Sequence, residues 1–520
     1  MRYFMAIDAG TGSVRSVIFD EFGKELSISQ REWTHLSEDG VKDSMSFDFE
    51  KNWDLVLESI KESISKSKVD PKDIVALSSS SMREGIVLYD RDKNPIWAVA
   101  NVDARAYKEV GYLKEHFKGI EEEFYQISGQ TFALGALPRL LWLKNNKKEL
   151  YDKTAYISMI SDWILFKLSG VIGVDPSNGG TTGIFSLKDR DWHKQMAKRV
   201  GIKDDIFPPV FESGEILGVV SKEASDESGL SQDTKVVMGG GDVQMGAVGL
   251  GVVNEGEATI LGGSFWQQVV NIKKDTPPPK DMSIRINPHI PKDLSQAEAI
   301  TFFSGLIMRW FRDAFCDLEK EEAKRRGIDV YQILEEKAKD VPIGSYGIVP
   351  IFSDSMKYGK WYHASPSFIN LSIDPNICNK ASMFRSLQEN AAIVSAVNLQ
   401  KIEQFTDIDI DELIFAAGAS KSEIWSQIVA DATGKRVKVP LVKEATSLGV
   451  AMVCMVALGV YDSLDDAIKN VVKIERVFEP NMKNHQLYID LIKRWKSIYE
   501  IQLSLVDKGV CESMWKAPGV

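Results

Sequence analysis

Met5-Ala6-Ile7-Asp8-Ala9-Gly10-Thr11-Gly12-Ser13-Val14-Arg15 is the stretch on which the fold turns. Residues 3–7 are apolar and β-prone, Asp8 ends the run, and residues 9–13 are rich in turn formers. Residues 14–19 resume a strand, and Asp20-Glu21-Phe22-Gly23-Lys24 closes a second turn before a third strand. Glycines let backbone N–H groups approach phosphate oxygens, and Thr11 and Ser13 add hydroxyl donors. Asp8, at a strand end, is placed to hold Mg²⁺ directly or through water. The Gly-Lys-Ser/Thr ending of a Walker loop is absent, and a strand follows where that loop needs a helix. Arg15 stands where a dinucleotide fingerprint needs its third glycine. Taken alone, the segment is equally well an ordinary hairpin turn.

Working outward, residues 52–67 carry Trp53, Val56, Leu57, Ile60 and Ile64 at helical spacing, and residues 74–78 return to strand. The grammar then repeats. Residues 234–238 read as a strand ending in Gly239-Gly240-Gly241-Asp242. Residues 257–261 read as a strand ending in Gly262-Gly263-Ser264. A helix is expected around 305–315. A strand at 413–416 leads through Ala417-Gly418-Ala419-Ser420 into a helix at 423–433. Two halves that each open with glycine-punctuated strands predict two α/β domains with a boundary near 246–256, divided as 1–248 and 249–520.

Each motif has a chemical and a bland reading. Asp242 after three glycines is placed to take a hydroxyl proton in phosphoryl transfer, with the glycines leaving room for substrate; the alternative is a capping Asp at a helix start. Gly262-Gly263-Ser264 is suited to phosphates, or is a plain turn. Ala417-Gly418-Ala419-Ser420-Lys421-Ser422 is suited to a nucleotide, or is a serine-capped helix N-terminus. Arg83-Glu84, with Asn101-Val102-Asp103-Ala104-Arg105, can donate to and accept from substrate hydroxyls, or form an interdomain salt bridge. The stretch around Arg309 reads blandly as a packed helix face. Ser78-Ser79-Ser80-Ser81 lacks a nucleophile elbow, which disfavours a hydrolase.

The 520 residues are 44% hydrophobic and 26% charged, with a formal net charge of −11. That balance is globular. It disfavours nucleic acid, which selects basic surfaces, and an anionic substrate unless basic residues focus in a cleft. A small neutral substrate fits best. The four cysteines form no CxxC pair, and the six histidines are scattered, so structural zinc is not expected. His363 is singled out because it sits in a distinctive block. An acidic residue at position 8 is too early for a signal peptide. The apolar run at 448–460 is shorter than a membrane span and predicts a buried helix. No membrane association is expected, and a cytoplasmic location follows.

Taken in order, Gly-rich turn, Arg-Glu, Gly-Gly-Gly-Asp, Gly-Gly-Ser and Ala-Gly-Ala-Ser, the chain resembles the FGGY carbohydrate kinases over essentially its whole length. Leu137-Pro138-Arg139-Leu140-Leu141-Trp142, Val174-Asp175-Pro176-Ser177-Asn178 and Glu444-Ala445-Thr446-Ser447-Leu448-Gly449 also look like family motifs. The resemblance implies two actin-like, ribonuclease-H-like α/β domains around an interdomain catalytic cleft, with ATP and Mg²⁺ as cofactors. It implies Asp242 as catalytic base with Asp8 beside it as the metal group. Gly10, Thr11, Gly12 and Arg15 match the first phosphate loop and Gly262, Gly263 and Ser264 the second. Gly305, Arg309, Gly418 and Ser422 match nucleotide contacts, and Arg83, Glu84, Asp103 and Asp242 the substrate side. Residues 81–89, 96–105, 361–371 and 515–519 resemble one branch of the family, whose acceptor is linear 4,5-dihydroxypentane-2,3-dione. Three departures stand out. Ala416-Ala417-Gly418 replaces a common triple glycine, Gly263 replaces a hydroxyl residue, and Ser353-Asp354-Ser355-Met356 replaces the Gly-Glu-Arg of many ketose kinases. By biological analogy alone, a regulatory phosphocarrier protein is an expected partner, and no residue carries that expectation.

Overall fold

The computed structural model describes residues 1–352 and 362–519. The departure at Ser353, Asp354, Ser355 and Met356 and the branch residue Trp361 lie outside the described residues.

The opening stretch forms the centre of the first sheet. Tyr3–Ala9 pairs antiparallel with Ser13–Asp20, which pairs antiparallel with Glu25–Glu32. On its other side Tyr3–Ala9 runs parallel to Ile74–Ser81, followed by parallel Lys235–Val237 and antiparallel Ile216–Val219 at the edge. Successive side chains of a strand point to opposite faces, and both faces here are covered. Met5 and Ile7 join Trp53, Val56 and Ile60 of the helix Phe49–Ser67. Phe4 and Ala6 join Leu448 and Met452 of the helix Ala445–Ala457.

The second sheet repeats this plan. Ala258–Gly262, Trp266–Lys273 and Leu294–Thr301 form an antiparallel meander. Glu412–Ala416 and Arg436–Pro440 add in parallel, and Ile474–Phe478 closes the edge antiparallel. Arg285–Pro288 extends the meander side. The long helix Lys380–Thr406 buries Leu387, Ala391 and Val394 against this sheet. An antiparallel trio followed by two parallel strands, in both halves, is the expected ribonuclease-H-like order.

Two helices lie between the sheets. Asp242–Gly249 follows the short strand Gly240–Gly241, and its Ala247 packs with Ala416 of the second sheet. Ala445–Ala457 follows the second sheet yet packs on the first. They cross at backbone contact: a Cβ on Gly249 would lie 1.9 Å from the carbonyl oxygen of Ala445, and one on Gly449 would lie 1.9 Å from that of Met245. Only glycine permits this approach, which sets the spacing of the lobes. No helix among the described residues is long and apolar enough to cross a membrane.

Candidate active site

Asp8 lies at the end of the first central strand and Asp242 at the first turn of the helix that leaves the Gly240–Gly241 strand. Asp242 accepts the backbone N–H of its own neighbour Val243 at 2.8 Å, and its carbonyl accepts the Thr446 hydroxyl at 3.3 Å. Its side chain keeps 37% of its surface open, and Arg83 Nε stands 3.9 Å from Oδ1. Burial, opposed by the Arg83 charge and reinforced by Glu84 and Glu298, pushes its carboxyl up to about 6. Burial and then the charge of Asp242 push Asp8 up to about 7, against the pull of Arg15. Arg15 stands 3.7 Å from both Asp8 and Glu444. Two carboxyls titrating near neutrality in one recess are the electrostatic signature of a functional cleft.

The first turn supplies open space. Gly10, Thr11 and Gly12 are partly or fully exposed, neither glycine has a positive φ, and nothing stands within 4 Å of a Cβ built on Gly12. The triple glycine before Asp242 behaves oppositely, which corrects the expectation that it leaves room for substrate. A Cβ on Gly239 would lie 1.7 Å from the Ser79 carbonyl oxygen, on Gly240 2.6 Å from Ser177 Oγ, and on Gly241 2.6 Å from Gln244 Oε1. Protein fills that space. The glycines let the chain press against the serine strand, where Gly240 and Gly241 pair with Ser80 and Ser81.

On the second lobe a cavity of about 470 Å³ is lined by Gly262, Gly263, Ser264, Gly305, Arg309, Gly418 and Ser422, joined by Tyr331, Glu335, Gln388 and Trp425. All seven residues expected to contact nucleotide or its phosphates from this half therefore meet in one place. Arg309 donates to Ser264 Oγ at 2.8 Å. A Cβ on Gly305 would lie 2.3 Å from the Gly263 carbonyl oxygen, so the helix Ser304–Phe315 abuts the loop directly, while Gly418 faces open space. Ser422 caps the helix Glu423–Thr433 through the Trp425 N–H at 2.9 Å. Ala417 holds φ 74°, ψ −162°, a backbone region that is essentially glycine's.

Arg83 and Glu84 are brought to the cleft, but both are already ion-paired across it. Arg83 donates to both carboxylate oxygens of Glu298, at 2.5 and 2.8 Å, and Arg285 pairs with Glu84. Burial would depress the Arg83 guanidinium, but Glu298 outweighs it and the net shift is upward. Glu84 sits at φ 61°, held by Arg139 on its carbonyl and by its own N–H donating to Thr181 Oγ1 at 3.0 Å. Asp103 is not presented to the cleft. Its carboxylate is fully buried, bonded to Arg105 Nε and to the Met45 N–H at 2.6 Å; only its carbonyl reaches toward the site, through Arg139. His363 packs among the rings of Phe302, Phe303 and Trp515. Glu298 and Arg285 join the site without having been expected from sequence, and Arg139, quoted there only within a family motif, joins it with no role assigned beforehand. The signal for Glu298 was faint: a charged residue amid the small apolar Ala297 and Ala299.

Comparison with known proteins defines the class. Residues 3–249 match the N-terminal domain of the FGGY family of carbohydrate kinases and residues 277–458 its C-terminal domain. The chain belongs to this family, and its enzyme class is an ATP-dependent kinase. Among curated relatives, proteins named autoinducer-2 kinase from Klebsiella pneumoniae and Escherichia coli K12 are 52% and 51% identical, over 100% of this chain and 98% of theirs. Among solved structures, xylulose kinase from Lactobacillus acidophilus superposes with a TM-score of 0.85 at 20% identity, covering 97% of this chain and 99% of that one. Plasmodium falciparum glycerol kinase with ADP gives 0.82 at 18%, covering 97% and 98%. These structural likenesses bear out the expected two-domain fold.

Proposed function

We propose that this chain transfers the γ-phosphoryl group of ATP to the terminal hydroxyl of autoinducer-2, as linear 4,5-dihydroxypentane-2,3-dione, giving the 5-phosphate. The observation that carries the chemistry is Asp242, a raised carboxylate open to a cleft between phosphate-binding loops. The choice of acceptor is supported by the likeness to relatives that bear that name, which runs the length of the chain.

In this reading Asp242 holds the acceptor hydroxyl and takes its proton as the phosphoryl group passes in line. A carboxyl near 6 is largely ionised at pH 7 yet basic enough for the task. Gly10, Thr11, Gly12 and Arg15 face the phosphates from the first lobe and Gly262, Gly263 and Ser264 from the second. Gly305, Arg309, Gly418 and Ser422 surround the nucleotide. Arg83 and Glu84 orient the acceptor. Asp8 is the residue that would hold Mg²⁺ beside the nucleotide phosphates, directly or through water. When bound, Mg²⁺ neutralises charge developing on the phosphate oxygens. The division of labour follows domains at 1–248 and 249–520, and the need for ATP places the reaction in the cytoplasm.

The test is ADP release with Mg-ATP across dihydroxypentanedione, xylulose, ribulose, glycerol and no acceptor. Turnover confined to dihydroxypentanedione supports the proposal. Preference for a pentulose or polyol overturns the acceptor and keeps the chemistry. ATP binding without acceptor-dependent release turns the reading toward a nucleotide-binding sensor.

A further inference from the structure

Arg83 and Glu84 belong to the first lobe, yet each is matched by a side chain of the second. Arg285 and Glu298 face each other in register on the antiparallel strands Arg285–Pro288 and Leu294–Thr301. They meet the Arg83-Glu84 dipeptide crosswise, Glu298 taking Arg83 and Arg285 taking Glu84. Polar side chains of both lobes brace the second-lobe pair, Asn287 from its own lobe and Gln130 from the first. Asn287 Nδ2 donates to Glu298 Oε2 at 3.2 Å. Arg285 Nε donates to Gln130 Oε1 at 2.6 Å, and Gln130 Nε2 donates to Asn287 Oδ1 at 3.0 Å. All four charged side chains are at most 12% exposed.

This is more than a clasp between lobes. A buried ion pair gives little net stability over apolar packing, so four charges at a seam need another reason to be there. The geometry supplies one. Glu298 occupies both terminal nitrogens of Arg83, so that Nε is the edge left toward Asp242. Arg285 takes one carboxylate oxygen of Glu84, and among the described residues no donor is bonded to the other. Were the lobes apart, both head groups would lose these partners and rotate freely on long side chains.

We propose that Glu298 and Arg285 are acceptor-positioning residues contributed by the second lobe. They fix the head groups of Arg83 and Glu84 only when the lobes are together, so closure itself assembles the acceptor surface. The inference rests on the reading of Arg83, Glu84 and Asp242 given above and adds two residues that act through them.

The experiment measures KM for acceptor and for ATP separately, with kcat, in Glu298→Gln and Arg285→Lys. Glu298→Gln keeps the shape and removes the charge; Arg285→Lys keeps the charge and removes the fork that reaches Glu84 and Gln130 together. The expected result is an acceptor KM raised at least tenfold with the ATP KM within twofold. Because a buried charge change can prevent folding, Asn287→Ala and Gln130→Ala serve as second probes. Asn287→Ala removes a brace within the second lobe, and Gln130→Ala removes one from the first lobe that also bonds the Ile286 carbonyl; each is expected to raise the acceptor KM about threefold. An acceptor KM within twofold of the parent in folded Glu298→Gln, or equal rises for acceptor and ATP, overturns the inference. Asp242→Asn separates the two levels. If it is inactive while Glu298→Gln is normal, only the positioning role falls; if it turns over normally, the underlying reading falls too.

Discussion

Replacing Asp242 with Asn should remove most turnover and stabilise the protein at neutral pH. The carboxyl stands at about 6 in the folded state against an ordinary 3.8. Every tenfold change in proton affinity corresponds to about 1.4 kcal/mol, so ionising this carboxyl in the fold costs about 3 kcal/mol in full. With 37% of the side chain open, solvent screening roughly halves that, to about 1.5 kcal/mol. The sign follows from proton uptake. Between pH 3.8 and 6 the folded state binds the proton that the unfolded state has released, so the wild type loses stability as pH rises through that window and regains none above it. Asn carries no such cost. The variant should therefore exceed the wild type by about 1.5 kcal/mol at pH 7.5, by about half that at pH 5, and by almost nothing below pH 4. Arg83 is not orphaned, because Glu298 still holds it. Turnover should fall by about 10²–10⁴ with loss of the base. Urea unfolding at pH 7.5 and 5.0, beside steady-state ADP release, makes the measurement. A variant less stable than wild type at pH 7.5 would show that Asp242 serves as a stabilising partner of Arg83, and the destabilised-base argument would fail.

Gly449→Ala should cost about 3 kcal/mol or more, since its methyl would lie 1.9 Å from the Met245 carbonyl and force the crossing helices apart; Gly111→Ala, on an open helix face, is the control and should stabilise by about 0.5–1 kcal/mol in the same urea assay. Ala417→Gly should raise stability by about 1 kcal/mol, because it relieves a backbone strain of roughly 1–3 kcal/mol less the extra entropy of glycine; a lower urea midpoint would refute it. Arg309→Ala should raise the KM for ATP about tenfold through loss of its hold on Ser264, a charge-assisted bond, and leave the acceptor KM unchanged.

What could be read from sequence divides along the physics of burial. Strands flanking the glycine motifs were legible because apolar runs broken by Gly, Asp and Ser have few other solutions: the pattern predicts a strand at 413–416, and Glu412–Ala416 is found. The seam was not legible. In Leu294–Thr301, Ser295, Gln296 and Glu298 are all buried, so the strand shows no alternation of apolar and polar residues, and its charge looks like surface. The same reason hid the true extent of Ile74–Ser81, whose four serines are fully buried where the glycines before Asp242 press in. The triple glycine is evident as a motif but is no vacancy, because sequence cannot distinguish a glycine that admits a ligand from one that admits a backbone. Asp103 went the same way: an Asp two residues before an Arg can face a cleft or brace its neighbour, and only the fold decides.

The balance of charge in the cleft bears on what can enter it. Asp8, Glu84, Asp242, Glu298 and Glu444 bring five carboxylates to the cleft, against the guanidiniums of Arg15, Arg83, Arg285 and Arg139, the last held on the backbone carbonyls of Glu84, Asn101 and Asp103. Arg83 and Arg285 are committed to ion pairs across the seam and Arg139 to backbone carbonyls, so little positive charge remains to receive a carboxylate on the acceptor. In this chain burial, reinforced by neighbouring carboxylates, raises Asp8 and Asp242, and a neutral polyhydroxyl acceptor would enter without adding to the repulsion.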